Sequence, residues 1–239
     1  MSGHSKWSTI KRKKGAADAE RGKMFAKLAK EIYVAAKNGD VDPNNNAALR
    51  MVIEKAKAEN MPKSNIQNAI DKASKSGAGE NYEQVRYEGY GPNGLAIMID
   101  CLTDNRNRTA GFVRSTLTKR GGNLGTDGSV SYLFKRKGLI ILDKSCDEEK
   151  IMNDCLELEI EDFISNDDNY EITTNPNDFL NVKEGLDKLG YNNYVISEVT
   201  YIPDNYMSLD EETTSKAIAL IESLEDIDDV QAVYHNLEM

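Results

Sequence analysis

Two histidines stand in 239 residues, His4 near the start and His235 near the end. A histidine-based catalytic triad or a multi-histidine metal site therefore has too few members to assemble. His235 follows alternating apolar residues and reads as an ordinary strand position. The three cysteines, Cys101, Cys146 and Cys155, are odd in number, far apart and without a Cys-x-x-Cys pair. They predict neither a disulfide frame nor a thiolate metal site, and they fit a reducing cytoplasm. The acidic runs Asp147-Glu148-Glu149 and Asp226-x-Asp228-Asp229 lack the alternating oxygen ligands, central glycine and final glutamate of a calcium loop. Gly121-Gly122-Asn123-Leu124-Gly125 looks like a phosphate loop, but it lacks the Gly-Lys-Ser/Thr ending and follows a helix instead of opening one, so it is read as a helix stop. No catalytic residue, cofactor or metal is expected, no small-molecule substrate is evident, and the chain reads as a non-enzyme.

The residues that remain for chemistry are cations. Residues 1–37 carry ten Lys or Arg against three acids, in a chain of formal charge -10. Within them, His4, Lys6, Trp7, Lys11, Arg12, Lys13 and Lys14 form an arm with the only tryptophan. Arg21, Lys23, Lys27 and Lys30 follow on a helix. Such a stretch matches the electrostatic footprint of a phosphate backbone, with an aromatic ring to stack on an unpaired base. A second group is Asn105-Arg106-Asn107-Arg108-Thr109. Arg106 and Arg108 at a helix start have two readings that stand side by side: phosphate ligands, or a cap whose arginines bond to acidic neighbours.

The elements that must position these groups follow from the hydrophobic period. Residues 1–17 have no apolar period and read as a flexible basic arm. From Asp18 to Asn38, Phe25, Leu28, Ile32 and Ala36 recur at helical spacing, with Lys23, Lys27, Lys30 and Lys37 on another face as a cationic ridge. Asn46 is placed to cap a second helix carrying Leu49, Val52, Ile53 and Ala56. A third carries Ile66, Ala69, Ile70 and Ala73 before Ser76-Gly77-Ala78-Gly79, so residues 18–79 form a three-helix unit.

Beyond it the period drops to two. Val85 to Tyr90 and Leu95 to Leu102 are strands joined by Gly91-Pro92-Asn93-Gly94, followed by a helix with Val113 and Leu117 and a third strand over Val130, Tyr132 and Phe134. Lys137-Gly138 breaks that strand from the next. Residues 137–203 then read strand-helix-strand-strand-helix-strand, the ferredoxin-like order, with Asn175 and Pro176 starting its second helix. After Pro203 come one helix, announced by a Ser208-x-x-Glu211 capping box, and one strand over Val230, Ala232 and Tyr234. A lone helix and strand have no core of their own. They are expected to complete the middle unit, giving a discontinuous domain of 80–136 plus 204–239 around an inserted domain of 137–203. The fold class is α+β: a three-helix bundle and two mixed α/β domains.

Charge divides the same way. Residues 1–75 carry 16 basic and 8 acidic groups, residues 76–142 carry 9 and 6, and residues 143–239 carry 5 and 26. The first part is suited to a polyanion and the last is not. No apolar run reaches the roughly 20 residues of a membrane span, so no membrane partner is expected.

Several stretches resemble one family. Gly3-His4-Ser5-Lys6-Trp7, Asn60-Met61-Pro62-Lys63, Tyr87-Glu88-Gly89-Tyr90-Gly91-Pro92, Leu102-Thr103-Asp104-Asn105-Arg106-Asn107-Arg108-Thr109 and Gly121-Gly122-Asn123-Leu124-Gly125 are similar to motifs of the YebC/PmpR family, which includes the mitochondrial translational activator of cytochrome oxidase. The resemblance implies a helical N-terminal domain and two mixed α/β domains. It also implies a regulator, in one description a probable transcriptional regulator and in another a ribosome-associated translation factor that assists synthesis through runs such as consecutive prolines. With no presequence ahead of Gly3, a bacterial cytoplasmic form is expected.

Two partners follow. The leading one is ribosomal RNA on the ribosome, entered by the arm and the helical unit. The other is duplex DNA, with residues 46–60 and 64–76 as a helix-turn-helix offering Asn65, Gln67, Asn68 and Lys72 to base edges.

Overall fold

The computed structural model describes residues 18–75 and 81–238, with residues 18–20 given by backbone alone. Helices α1 (Asp18–Lys37), α2 (Ala47–Ala58) and α3 (Lys63–Lys75) form the first unit, α1 packing against both others. Leu28, Ile32, Leu49, Ile53, Ile66 and Ile70 meet in one core. Asn46 fixes the entry to α2. Its side chain accepts the Leu49 N–H at 3.0 Å while its amide donates to the carbonyls of Ala35 and Asp40. Such a cap is worth about 1 kcal/mol, and here it also ties α1 to α2. Gly39 leaves the room, since a Cβ there would lie 2.6 Å from the Asn46 amide nitrogen.

The middle domain is built on β1 (Glu83–Tyr90) and β2 (Ala96–Thr103), antiparallel from Glu83 opposite Thr103 to Tyr90 opposite Ala96. Helix α4 (Arg106–Lys119) follows, capped by Asn105 through the Arg108 N–H. The glycines after it end the helix and then start a strand. Gly121 adopts φ +79°, and a Cβ on Gly122 would fall 2.4 Å from the Tyr90 carbonyl oxygen. This close crossing lets β3 (Asn123–Leu124) pair with Gly89 and Tyr90.

The chain then enters the acidic unit: β4 (Phe134–Asp143), α5 (Glu148–Leu156), β5 (Asp162–Ser165), β6 (Asn169–Thr174), α6 (Phe179–Lys188) and β7 (Tyr194–Pro203). Its antiparallel sheet runs β5-β6-β4-β7, the ferredoxin-like order. Helix α7 (Glu211–Glu225) and strand β8 (Val230–His235) return to the middle domain, where β8 pairs with β2 to give the order β3-β1-β2-β8. Helices α4 and α7 cover one face of that sheet around Leu95, Ile97, Ile99, Val113, Leu117, Leu220 and Leu224. Ala96 and Met98 point the other way, into a junction with Val130, Phe134, Tyr201 and Tyr234. β2 is therefore buried on both faces.

Four local expectations change. No strand runs over Val130 to Phe134, because residues 131–133 make a 3-10 turn that lets the chain change sheets. Gly138 does not break a strand. It lies inside β4 because a Cβ there would meet the Thr174 hydroxyl at 2.2 Å and Phe179 at 2.9 Å. Asn175 closes a turn by accepting the Asn177 N–H, so Pro176 precedes the helix and α6 begins at Phe179. Asp210, not Ser208, caps α7 by accepting the Thr213 N–H, while Ser208 bonds to Glu238.

Candidate nucleic-acid interface

His4, Lys6, Trp7, Lys11, Arg12, Lys13 and Lys14 lie outside the described residues. The cations that follow them do not form an open ridge. Lys23 Nζ is 3.2 Å from Asp226, and Lys27 donates to the Glu225 carbonyl. Lys30 donates to the carbonyls of Leu102 and Asp228 and lies 3.4 Å from the Asp229 carboxylate. Lys37 reaches Asn81 at 3.0 Å. These lysines share one face because they are spaced by three, four and seven. Lys27 and Lys30 are turned inward, toward the carbonyls and the carboxylate at and just past the C-terminal end of α7, while Lys23 pairs with Asp226 at the exposed edge. Helix C-termini favour cations. The expected ridge is thus a seam between the helical unit and the middle domain, and Arg21 stays exposed beside it.

Asp229 is the centre of this seam. Its side chain is 9% exposed and accepts from Arg108 Nη2 at 2.9 Å and from the Thr109 hydroxyl at 2.7 Å. Burial by itself would raise the Asp229 pKa. The hydrogen bonds from Arg108 and Thr109, together with the charges of Lys30 and Arg108, outweigh it and hold the carboxyl below its ordinary value. Arg108 also meets Asp104 at 2.6 Å. Of the two readings of Asn105 to Thr109, the geometry supports the cap with intramolecular pairing for Arg108. Arg106 differs: its guanidinium is 65% exposed and 4.0 Å from Glu83.

Other exposed cations escaped the sequence reading. Arg114, Lys119 and Arg120, on α4 and just past it, have no side-chain partner among the described residues, and Phe112 between them and Arg106 is 53% exposed. The signal was present in residues 106–120, whose buried positions are Thr109, Val113 and Leu117. On α3, Asn65, Asn68 and Lys72 lie along one exposed stripe facing α1, whereas Gln67 donates to Asp71 at 2.8 Å.

The other conspicuous motifs serve the fold. Glu88 is 5% exposed and accepts the N–H groups of Gly128, Val130 and Ser131 at 2.7–2.9 Å. Burial pushes its pKa up, and the three backbone donors, led by Val130, more than reverse this to leave it lowered. Arg86 clamps Asp100 through two bonds of 2.7 and 2.9 Å and lies 4.4 Å over the Tyr201 ring, joining the two sheets. Among the described residues no cluster of His, Cys, Asp and Glu could hold a metal ion, and no helix is long and apolar enough to cross a membrane.

The chain is thus a helical unit ahead of two α/β domains, with its basic residues concentrated toward the first unit. Comparison with known proteins gives the family. Residues 5–76 match the N-terminal domain of TACO1/YebC proteins, and residues 82–237 match the second and third domains. The chain belongs to the TACO1/YebC family. It is 52% identical over 241 residues to a probable transcriptional regulatory protein of Geobacillus kaustophilus, covering 100% of this chain and 98% of that one. A protein of the same description from Geobacter sulfurreducens is 51% identical over 239 residues, covering 100% and 96%. A crystal structure of a conserved hypothetical protein from Aquifex aeolicus superposes with a TM-score of 0.81 at 45% identity, covering 92% of this chain and 91% of that chain.

Proposed function

We propose that this chain is a cytoplasmic, non-enzymatic RNA-binding factor that associates with the ribosome and helps translation past stalling sequences such as proline-rich runs. It acts by positioning, not by covalent chemistry. The observation that carries the RNA part is the charge division: 16 basic against 8 acidic groups in residues 1–75, and 5 against 26 in residues 143–239. A polyanion is attracted to the front of the molecule and repelled by the back. The arm and the exposed Arg21, Arg106, Arg114, Lys119 and Arg120 supply the phosphate ligands, and the resemblance to ribosome-associated members supplies the setting.

A DNA-binding regulator is the second reading, favoured by the description of the relatives. Against it stands the placement of α2. In a helix-turn-helix the first helix crosses the DNA backbone. Here α2 contacts β7, and its Glu54 is 3.5 Å from Lys183 of the acidic domain. Co-sedimentation with ribosomes beside a gel shift on random duplex DNA, both at physiological salt, separates the two. Ribosome binding without a duplex shift is expected. A duplex shift without ribosome binding would overturn the proposal.

A further inference from the structure

Between α1 and α3 runs an open groove of about 610 Å³. Its floor is apolar and low: Phe25, Ala26, Ala29, Met61 and Ala69, with Gly22 at one end. Glycine and alanine at 22, 26, 29 and 69 leave space that larger side chains on two packed helices would fill, so a flat ring has room to lie against the helices. The far end is walled by Tyr33 and Tyr82, edge to face at 6.1 Å. Lys72 sits 5.6 Å over Tyr33 at the rim, while Lys30, 5.0 Å over Tyr82, keeps its ammonium on Asp229.

Two further facts narrow the occupant. The side-chain amides of Asn65 and Asn68 line the groove and make no hydrogen bond among the described residues. Each offers a donor pair and an acceptor, the complement of a base edge. Among the described residues no carboxylate lines the groove, although the chain as a whole has 40 acids. An apolar floor, exposed amides without a protein partner among the described residues and a lysine at the rim match a nucleobase that carries its own phosphate. They match an aliphatic side chain poorly, since it would strand the amides, and an acidic peptide poorly, since it has nothing for the floor.

We infer that this groove binds one unpaired nucleobase of an RNA strand, the ring lying on Phe25 and Ala29, its edge read by Asn65 and Asn68, and its phosphate passing Lys72. The inference rests on the RNA-binding reading above and adds to it a site on the helical unit itself, separate from the arm. A base held in a duplex does not enter, because its faces are stacked and its edge is paired.

The test uses the full chain, purified ribosomes and a short single-stranded RNA labelled with a fluorophore. Ala26→Leu fills the groove from an exposed helical position that tolerates leucine, and Asn68→Ala removes one amide without adding bulk. Each should weaken binding of the single-stranded RNA roughly tenfold while the slope of affinity against salt stays unchanged, because no cation is lost. Unchanged affinity in both variants, with the parent protein binding RNA normally, would overturn the groove and leave the RNA-binding reading standing. A parent protein that binds neither the RNA nor ribosomes would overturn both. The only tryptophan, Trp7, provides the remaining check. If Ala26→Leu shifts its emission in the absence of RNA, the groove belongs to the protein's own arm and the nucleobase assignment falls.

Discussion

Asp229 ties the helical unit to the middle domain, and its carboxylate is what Lys30, Arg108 and Thr109 bind. Asp229→Asn keeps the shape and removes the charge. It should cost about 2 kcal/mol in urea unfolding, below the loss for a fully buried pair because Arg108 stays in reach of water. Asp229→Leu should cost more, because it also removes the acceptor shared by Arg108, Thr109 and Lys30. The pH dependence follows from the lowered pKa of the carboxyl in the folded chain. Its contribution is complete above the unfolded value near 4, and it is lost as the pH falls through the lower folded value. Thermal scans of the parent and Asp229→Asn should therefore differ at pH 7 and converge as the pH falls below the unfolded value. Glu88 obeys the same sign, and Glu88→Gln should cost about 1.5–3 kcal/mol, because the amide NH2 replaces one acceptor oxygen and leaves at least one of the three backbone N–H groups without an acceptor. Equal stability of Glu88→Gln and parent would show that the 128–131 turn is held by something else.

At the scale of elements, α7 and β8 matter most, since they close a core they do not begin. Leu220, Ile221 and Leu224 are buried against α4, and β8 covers the outer edge of β2. Removing residues 205–239 should erase hydrogen-exchange protection in β2 while leaving α1 to α3 more protected. Equal loss in both would mean that the helical unit has no stability of its own. The pairing of β8 with β2 was legible because a lone helix and strand must find a core, and the count of elements left only one incomplete sheet. The helices of the first unit were legible from period alone. The use of the lysines on α1 was not. Lys23 and Asp226 are about 200 positions apart, and nothing in local spacing says which of several acidic clusters will approach. Short-range signals failed where two solutions are close in energy. Ser208 and Asp210 both precede a helix and both can cap, and Gly138 reads as a break until the close approach of Thr174 and Phe179 is known. Phe112, Arg114, Lys119 and Arg120 carry no motif of their own, and only the burial of Thr109, Val113 and Leu117 shows that they lie on the outer face of α4.

At the scale of the whole molecule, we propose that an acidic protein binds RNA through a basic front in which the cations of the arm join the exposed Arg106, Arg114, Lys119 and Arg120 as phosphate ligands. Lys27 and Lys30 donate into the seam with α7, so on this proposal the arm supplies a measurable share of the phosphate contacts. The salt dependence of ribosome or structured-RNA binding measures this directly, since each phosphate neutralised adds about -0.7 to -0.9 to the slope of log affinity against log salt. Replacing Lys11, Arg12, Lys13 and Lys14 together by alanine should flatten that slope by up to about 3. Replacing Lys144, Lys150, Lys183 and Lys188 in the acidic part should leave it nearly unchanged. A tight complex whose slope is the same with and without the four arm cations would contradict the account.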